Sequence, residues 1–218
     1  MNRVAGLFLG AALLTVPAHV FGSQIVAGGA LSVGSPSGAF GDVAGTGIGF
    51  AASGLYYFGK GPIALRVSGT GSWYGTETLG VTGPGSSGIT VDAKPTTFVM
   101  VGGPQYAKRE GRVRPYANAL AGFAHFSTSA KMEAAGSTFV DDGEFQDDTF
   151  AWSLGGGVLV PISRRVDFDG GLRFTGTGEA ELPGLAGFER SSGGQVAPLL
   201  THDKVYTIEA VIGITFAF

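Results

Sequence analysis

Val205-Tyr-Thr-Ile-Glu-Ala-Val-Ile-Gly-Ile-Thr-Phe-Ala-Phe218 ends the chain, and taking every second residue splits it into two lists. Tyr206, Ile208, Ala210, Ile212, Ile214, Phe216 and Phe218 form an apolar face with aromatic ends. Thr207, Glu209, Val211, Gly213, Thr215 and Ala217 form a smaller, more polar one. A period of two over so long a run predicts a β-strand with different surroundings on its two sides. The face that meets water decides between a soluble cup, greasy inside, and a barrel that is greasy outside.

The other end of the chain bears on location. Arg3 is followed by the apolar run Val4–Val16 and by a small-residue exit near Phe21-Gly22-Ser23. A run of 13 residues falls short of the ~20 that a spanning helix needs, so residues 1–22 are expected to be a cleaved signal peptide. Residues 23–218 then form one mature domain. Without Arg3 they carry 13 basic against 17 acidic side chains, a net −4 that argues against nucleic acid as a partner. There are no cysteines, so an exported chain holds together without disulfides. Thirty-nine glycines rule out a fold of long helices, because each costs about 1 kcal/mol relative to alanine there. Sixteen phenylalanines and only 14% charged residues are unusual for a soluble globule. Export, apolarity and alternation without a spanning helix point to a barrel in an outer membrane.

Eight alternating segments are legible, near residues 23–34, 44–58, 62–74, 95–107, 113–128, 148–161, 165–178 and 204–218. Their connections are of two kinds in strict alternation. Gly59-Lys60-Gly61, Lys108-Arg109-Glu110-Gly111-Arg112 and Ile162-Ser163-Arg164 are short. The segments 35–43, 75–94, 129–147 and 179–203 are longer and rich in Gly, Ser, Asp and Glu. Short periplasmic turns and long outer loops are the pattern of an eight-stranded antiparallel up-and-down transmembrane barrel. Charges fall consistently opposite the apolar stripe. In the seventh segment Val166, Phe168, Leu172 and Phe174 alternate with Asp167, Asp169, Arg173, Thr175 and Thr177. A charge at the lipid midplane would cost about 2–4 kcal/mol, so the charged face is the inner one. Aromatics gather at segment ends: Tyr56, Phe58, Tyr106, Phe216 and Phe218 at the periplasmic rim, Trp73, Phe150, Trp152 and Tyr206 at the outer rim. Such girdles suit interfacial depth.

Three stretches carry a family resemblance: Ile212-Gly-Ile-Thr-Phe-Ala-Phe218, Arg114-Pro-Tyr-Ala-Asn-Ala-Leu-Ala-Gly122 and Trp152-Ser-Leu-Gly-Gly-Gly-Val158. The mature chain resembles the small eight-stranded outer-membrane proteins, the superfamily of OmpX, the OmpA membrane domain and the opacity-type barrels. The resemblance implies an integral protein of the bacterial outer membrane, in contact with lipid and lipopolysaccharide and placed there by the barrel-assembly machinery. Tyr206, Ile212, Ile214, Phe216 and Phe218 are similar to the terminal signal which that machinery reads. It implies a monomer with a structural or surface-interacting role, in which the outer loops meet any ligand. No cofactor or metal is expected.

Three constellations could carry chemistry. Arg66, Asp167, Asp169, Arg173 and Glu209 point into a lumen just wide enough for side chains to fill. They form either a polar plug or the lining of a narrow channel for small solutes or apolar molecules. His125 and Ser127, two apart, project to one side of a strand, where a base and a hydroxyl could meet. Their spacing is similar to that of the barrel enzymes that deacylate lipid A, with Glu133 or Glu144 to orient the base. The segment Lys131–Asp148 carries Glu133, Asp141, Asp142, Glu144, Asp147 and Asp148. It reads as a solvated acidic loop, with a divalent cation bridging to lipopolysaccharide phosphates as the alternative.

Overall fold

In a computed structural model of the chain, the described residues are 24–38, 40–41, 44–75, 77–81, 89–134, 137–190 and 196–218. Residues 1–22, read as a signal peptide, lie outside them. Nine strands follow in order: β1 (Gln24–Ser37), β2 (Gly47–Tyr57), β3 (Ile63–Tyr74), β4 (Glu77–Val81) and β5 (Ile89–Ala107), then β6 (Arg114–Ala134), β7 (Ser137–Pro161), β8 (Val166–Arg190) and β9 (Val196–Ala217).

Each strand pairs antiparallel with its neighbour, β9 returns to β1, and β3 pairs with β5. Over eight staves the sheet therefore closes on itself and, among the described residues, leaves no free edge at that level, which is how a β-structure satisfies its backbone in lipid. The short β4 belongs to the third stave. It resumes the pairing with β5 at Glu77↔Ala93, just past the last β3 pair, Trp73↔Thr96.

The faces settle which side meets lipid. Phe50, Leu154, Leu172, Ile208 and Ile212 on four different strands are each more than half exposed. Their strand neighbours Ala151, Ser153, Thr175, Glu209 and Val211 are buried. On β9 the apolar side chains Ile208, Ile212, Ile214 and Phe216 face out, so a soluble cup with a greasy interior is excluded. Trp152, Phe174 and Tyr206 run side by side across three staves, with ring centroids 5.5 and 5.9 Å apart. Phe50 and Trp73 make an edge contact in the same outer girdle, and Tyr56 and Phe58 make one at the opposite rim.

The strand lengths correct one expectation. β7 and β8 are 25 residues each, about twice the 9–11 residues that a tilted strand needs to cross a bilayer. Segments 75–94, 129–147 and 179–203 are not irregular loops. Much of each is a paired ribbon: β4 with β5, the outer half of β6 with β7, and the outer half of β8 with β9. Beyond the apolar belt neither face of a ribbon is buried in lipid, so the period-2 contrast that marks the staves has no cause there. Breaks in register between Ala130 and Glu133, and between Pro183 and Phe188, blur the pattern further.

Candidate functional site

The candidate site is the lumen, described from its outer mouth inward. The connection between β1 and β2 turns back into the barrel. Gly38 makes the turn with φ +80°, a conformation that side chains rarely adopt, and its carbonyl accepts a hydrogen bond from Gly41 N at 2.9 Å. Phe40 is thereby driven inside. It is 2% exposed and packs edge-on against Tyr74 and Phe126, at 5.1 and 5.6 Å between centroids. Ala44, Val101, Ala124, Ala151 and Val205 complete an apolar cap across the mouth.

Beneath the cap lies a ring of hydroxyls. Thr97 bonds Tyr74 Oη at 3.5 Å, Thr175 donates to Ser153 at 3.5 Å, and Thr177 accepts from Val205 N at 3.1 Å. Below these, Arg173 Nε donates to Glu209 Oε2 at 2.7 Å, with both side chains about nine-tenths buried. The two residues sit directly opposite each other on β8 and β9, so register alone brings them together. Such a pair is strongly held, because removing either partner strands a charge away from water.

Further down, Tyr116 donates to Asp169 Oδ1 at 2.8 Å, and Arg66 donates to Gln105 Oε1 at 2.9 Å while its guanidinium lies 5.8 Å from the Tyr116 ring. Glycine makes room for this cluster. A Cβ on Gly171 would come within 2.6 Å of Tyr116 Oη and 2.8 Å of the Gly156 carbonyl. Nearest the short turns, Arg114 pairs with Asp167, and Arg109 bonds Gln24 and stacks 3.7 Å over the Tyr57 ring. Two cavities within the barrel are small, about 30 and 20 Å³, room for about one or two waters each. The mouth on the short-turn side opens into a third, of about 170 Å³.

The five expected luminal charges all point inward and fall into two groups, Arg173 with Glu209 and, nearer the short turns, Arg66, Asp169 and Asp167 around Tyr116 and Arg114. Arg173 is the partner of Glu209. Asp169 answers to Tyr116, Asp167 to Arg114, and Arg66 to Gln105. Tyr116, Gln105, Arg114 and the capping Phe40 were not among the expected residues. Parity contained the signal for three of them. With Ala117, Ala119 and Phe123 outward, Tyr116 and Arg114 must face in, and the outward Tyr106 does the same for Gln105. Nothing in the local pattern marks Phe40, whose burial depends on where the loop travels.

On the outer surface, His125 Nδ1 lies 2.9 Å from Asp148 Oδ1, on facing positions of β6 and β7. The group beside the histidine is therefore Asp148 rather than Glu133 or Glu144, which pair with Thr138 and Ser129. Ser127 projects to the same side, yet no hydrogen bond joins it to His125 among the described residues. Of the acidic segment, the side chains of Glu133, Asp141, Asp142 and Glu144 lie outside the described set. Among the described residues no cluster of three metal-ligating side chains occurs.

A closed eight-stave barrel with its apolar face outside is a specific architecture. The fold is that of the small outer-membrane barrels. A major outer membrane protein from Thermus thermophilus superposes with a TM-score of 0.55 at 11% identity, covering 90% of this chain and 99% of that one. Neisserial surface protein A matches 90% of this chain and 97% of its own at 17% identity, with a TM-score of 0.47. Ail, the attachment invasion locus protein of Yersinia pestis, solved with the heparin analogue sucrose octasulfate, covers 91% and 100% at 12% identity and TM-score 0.48. No protein-family model matches the chain, and no curated protein matches its sequence.

Proposed function

We propose that the mature protein is a non-conducting barrel of the bacterial outer membrane that holds rigid β-ribbons above the surface, serving envelope integrity or contact with partners. The supporting observation is the stacked closure of the lumen, with the Phe40 cap over the Arg173–Glu209 pair and the Tyr116–Asp169 contact. A narrow channel is disfavoured by the same stack, within which the two cavities are only about 30 and 20 Å³. The ribbons are paired strands, and a preorganised surface loses less entropy on binding than a mobile loop does.

In this reading residues 1–22 direct export, and Tyr206, Ile212, Ile214, Phe216 and Phe218 guide assembly. Tyr56, Phe58, Trp73, Tyr106, Phe150 and Trp152 fix the depth in lipid, and lipopolysaccharide surrounds the outer girdle. Orientation is tested with cysteine labelling, which has no background because the chain lacks cysteine. Lys204→Cys on the ribbon side should react with a membrane-impermeant maleimide in intact cells. Lys60→Cys on a short turn should react only after lysis. The reverse pattern would contradict the orientation, and recovery of both variants in the soluble fraction would contradict the membrane reading.

A second reading rests on the His125–Asp148 contact. A carboxylate 2.9 Å from a histidine is the base-orienting half of a nucleophilic site, and it sits on the outward face near Phe98, Phe123 and Phe150. Ser127 would supply the hydroxyl, on an acylated lipid at that depth. Release of fatty acid from lipid A by the purified protein, lost in Ser127→Ala and His125→Ala, would support a hydrolase. No release would remove it.

A further inference from the structure

The short-turn mouth carries a charge pattern that closure of the lumen does not need. Its cavity of about 170 Å³ is lined by Arg66, Lys108, Arg109, Arg114, Arg164 and Arg165, against only two carboxylates, Asp167 and Asp169. The imbalance is local. The chain as a whole is net negative, yet the three short turns and their flanks concentrate Lys60, Arg112 and most of these cations against Glu110 and Asp167.

The cations are also poorly answered. Arg114 takes Asp167, but its Nε is buried with no hydrogen-bond partner. Arg66 and Arg109 bond the neutral side chains Gln105 and Gln24. Asp169 accepts from Tyr116 and also attracts Arg66, which leaves it little to offer the cations of the rim. Among the described residues, no hydrogen bond or ion pair is made by the side chains of Lys108, Arg164 or Arg165. Gathering like charges around a concave, partly desolvated space is unfavourable unless an anion joins them, and guanidinium forks fit the oxygens of a tetrahedral oxyanion. Ser163 lines the same wall with a hydroxyl.

We propose that this mouth is a binding site for a phosphate-class oxyanion, with Arg114 at its floor and Lys108, Arg164 and Arg165 at its rim. The phosphate can belong to a soluble periplasmic anion or to an anionic phospholipid headgroup of the inner leaflet. The periplasmic placing of this mouth rests on the orientation proposed above, whereas anion binding by its arginines is independent of whether the lumen conducts.

The test uses the mature barrel, ¹⁵N-labelled at arginine, in maltoside micelles. Inorganic phosphate is titrated at constant ionic strength, with chloride as the balancing anion. A saturable shift of the Arg114 Nε–Hε signal is expected. Arg164→Gln/Arg165→Gln, two exposed positions that leave the Arg114–Asp167 pair intact, should weaken phosphate binding about tenfold, as expected from the loss of two screened charges. The soluble and lipid sources are separated by nanodiscs. The same shift in phosphatidylglycerol but not phosphatidylcholine discs identifies a headgroup, and a shift with phosphate alone identifies a soluble ligand. Equal shifts with chloride and phosphate, affinity unchanged in the double variant, or no shift in either arm would overturn the site.

Discussion

The two mouths of this barrel are built from opposite materials. The outer one is sealed by carbon: Phe40 swings in on the Gly38 turn and meets Tyr74 and Phe126 under a ring of alanines and valines. The inner one is wide, polar and cationic, with arginines of the short turns around about 170 Å³. Between them the staves are the same staves, with the same outward apolar stripe. Closure and charge are thus set by the connections, while the walls are set by lipid. A connection long enough to fold back can cap a mouth. Turns as short as Gly59-Lys60-Gly61 can only rim one.

This contrast makes graded predictions, each measured by denaturant titration of the folded, faster-migrating form on gels. The largest effect belongs between the mouths. Glu209→Gln leaves Arg173 buried without its counter-charge and should cost about 3–5 kcal/mol. If the loss were under about 1 kcal/mol, water would have to reach that level of the lumen. Phe40→Ala removes the centre of the outer cap and should cost about 3 kcal/mol, the lower end for a buried aromatic, since the loop can partly collapse. A loss near zero would mean that the mouth is not packed. Tyr116→Phe, at the upper edge of the open vestibule, deletes one hydrogen bond to Asp169 and should cost about 1–2 kcal/mol. Arg164→Gln, at the solvated rim, should fall within about 0.5 kcal/mol of wild type. Equal costs at Phe40 and Arg164 would erase the distinction between the two mouths.

Legibility followed the same physical line. Where lipid lies on one side and the lumen on the other, two solvents impose a period of two, and the faces of β8 and β9 can be read directly from Val166 to Thr177 and from Tyr206 to Phe218. Past the outer girdle one solvent bathes both faces, so the ribbon halves of β6 to β9 looked like loops. Inside, parity tells which charges point inward but not their height around a closed sheet. Parity alone allows either luminal arginine, Arg66 or Arg173, to face Glu209, and only register places Arg173 opposite it. Asp148 escaped as the neighbour of His125 for the same reason, since a cross-strand contact needs the register of β6 on β7. Phe40 is legible only from the path of its loop.

Planar-bilayer recording of the refolded mature barrel distinguishes a plugged lumen from a conducting one. No discrete conductance is expected for the wild type, with steps appearing only when cap and ion pair are both removed, as in Phe40→Ala/Arg173→Ala/Glu209→Ala. Reproducible single-channel steps from the wild-type protein would contradict a plugged lumen.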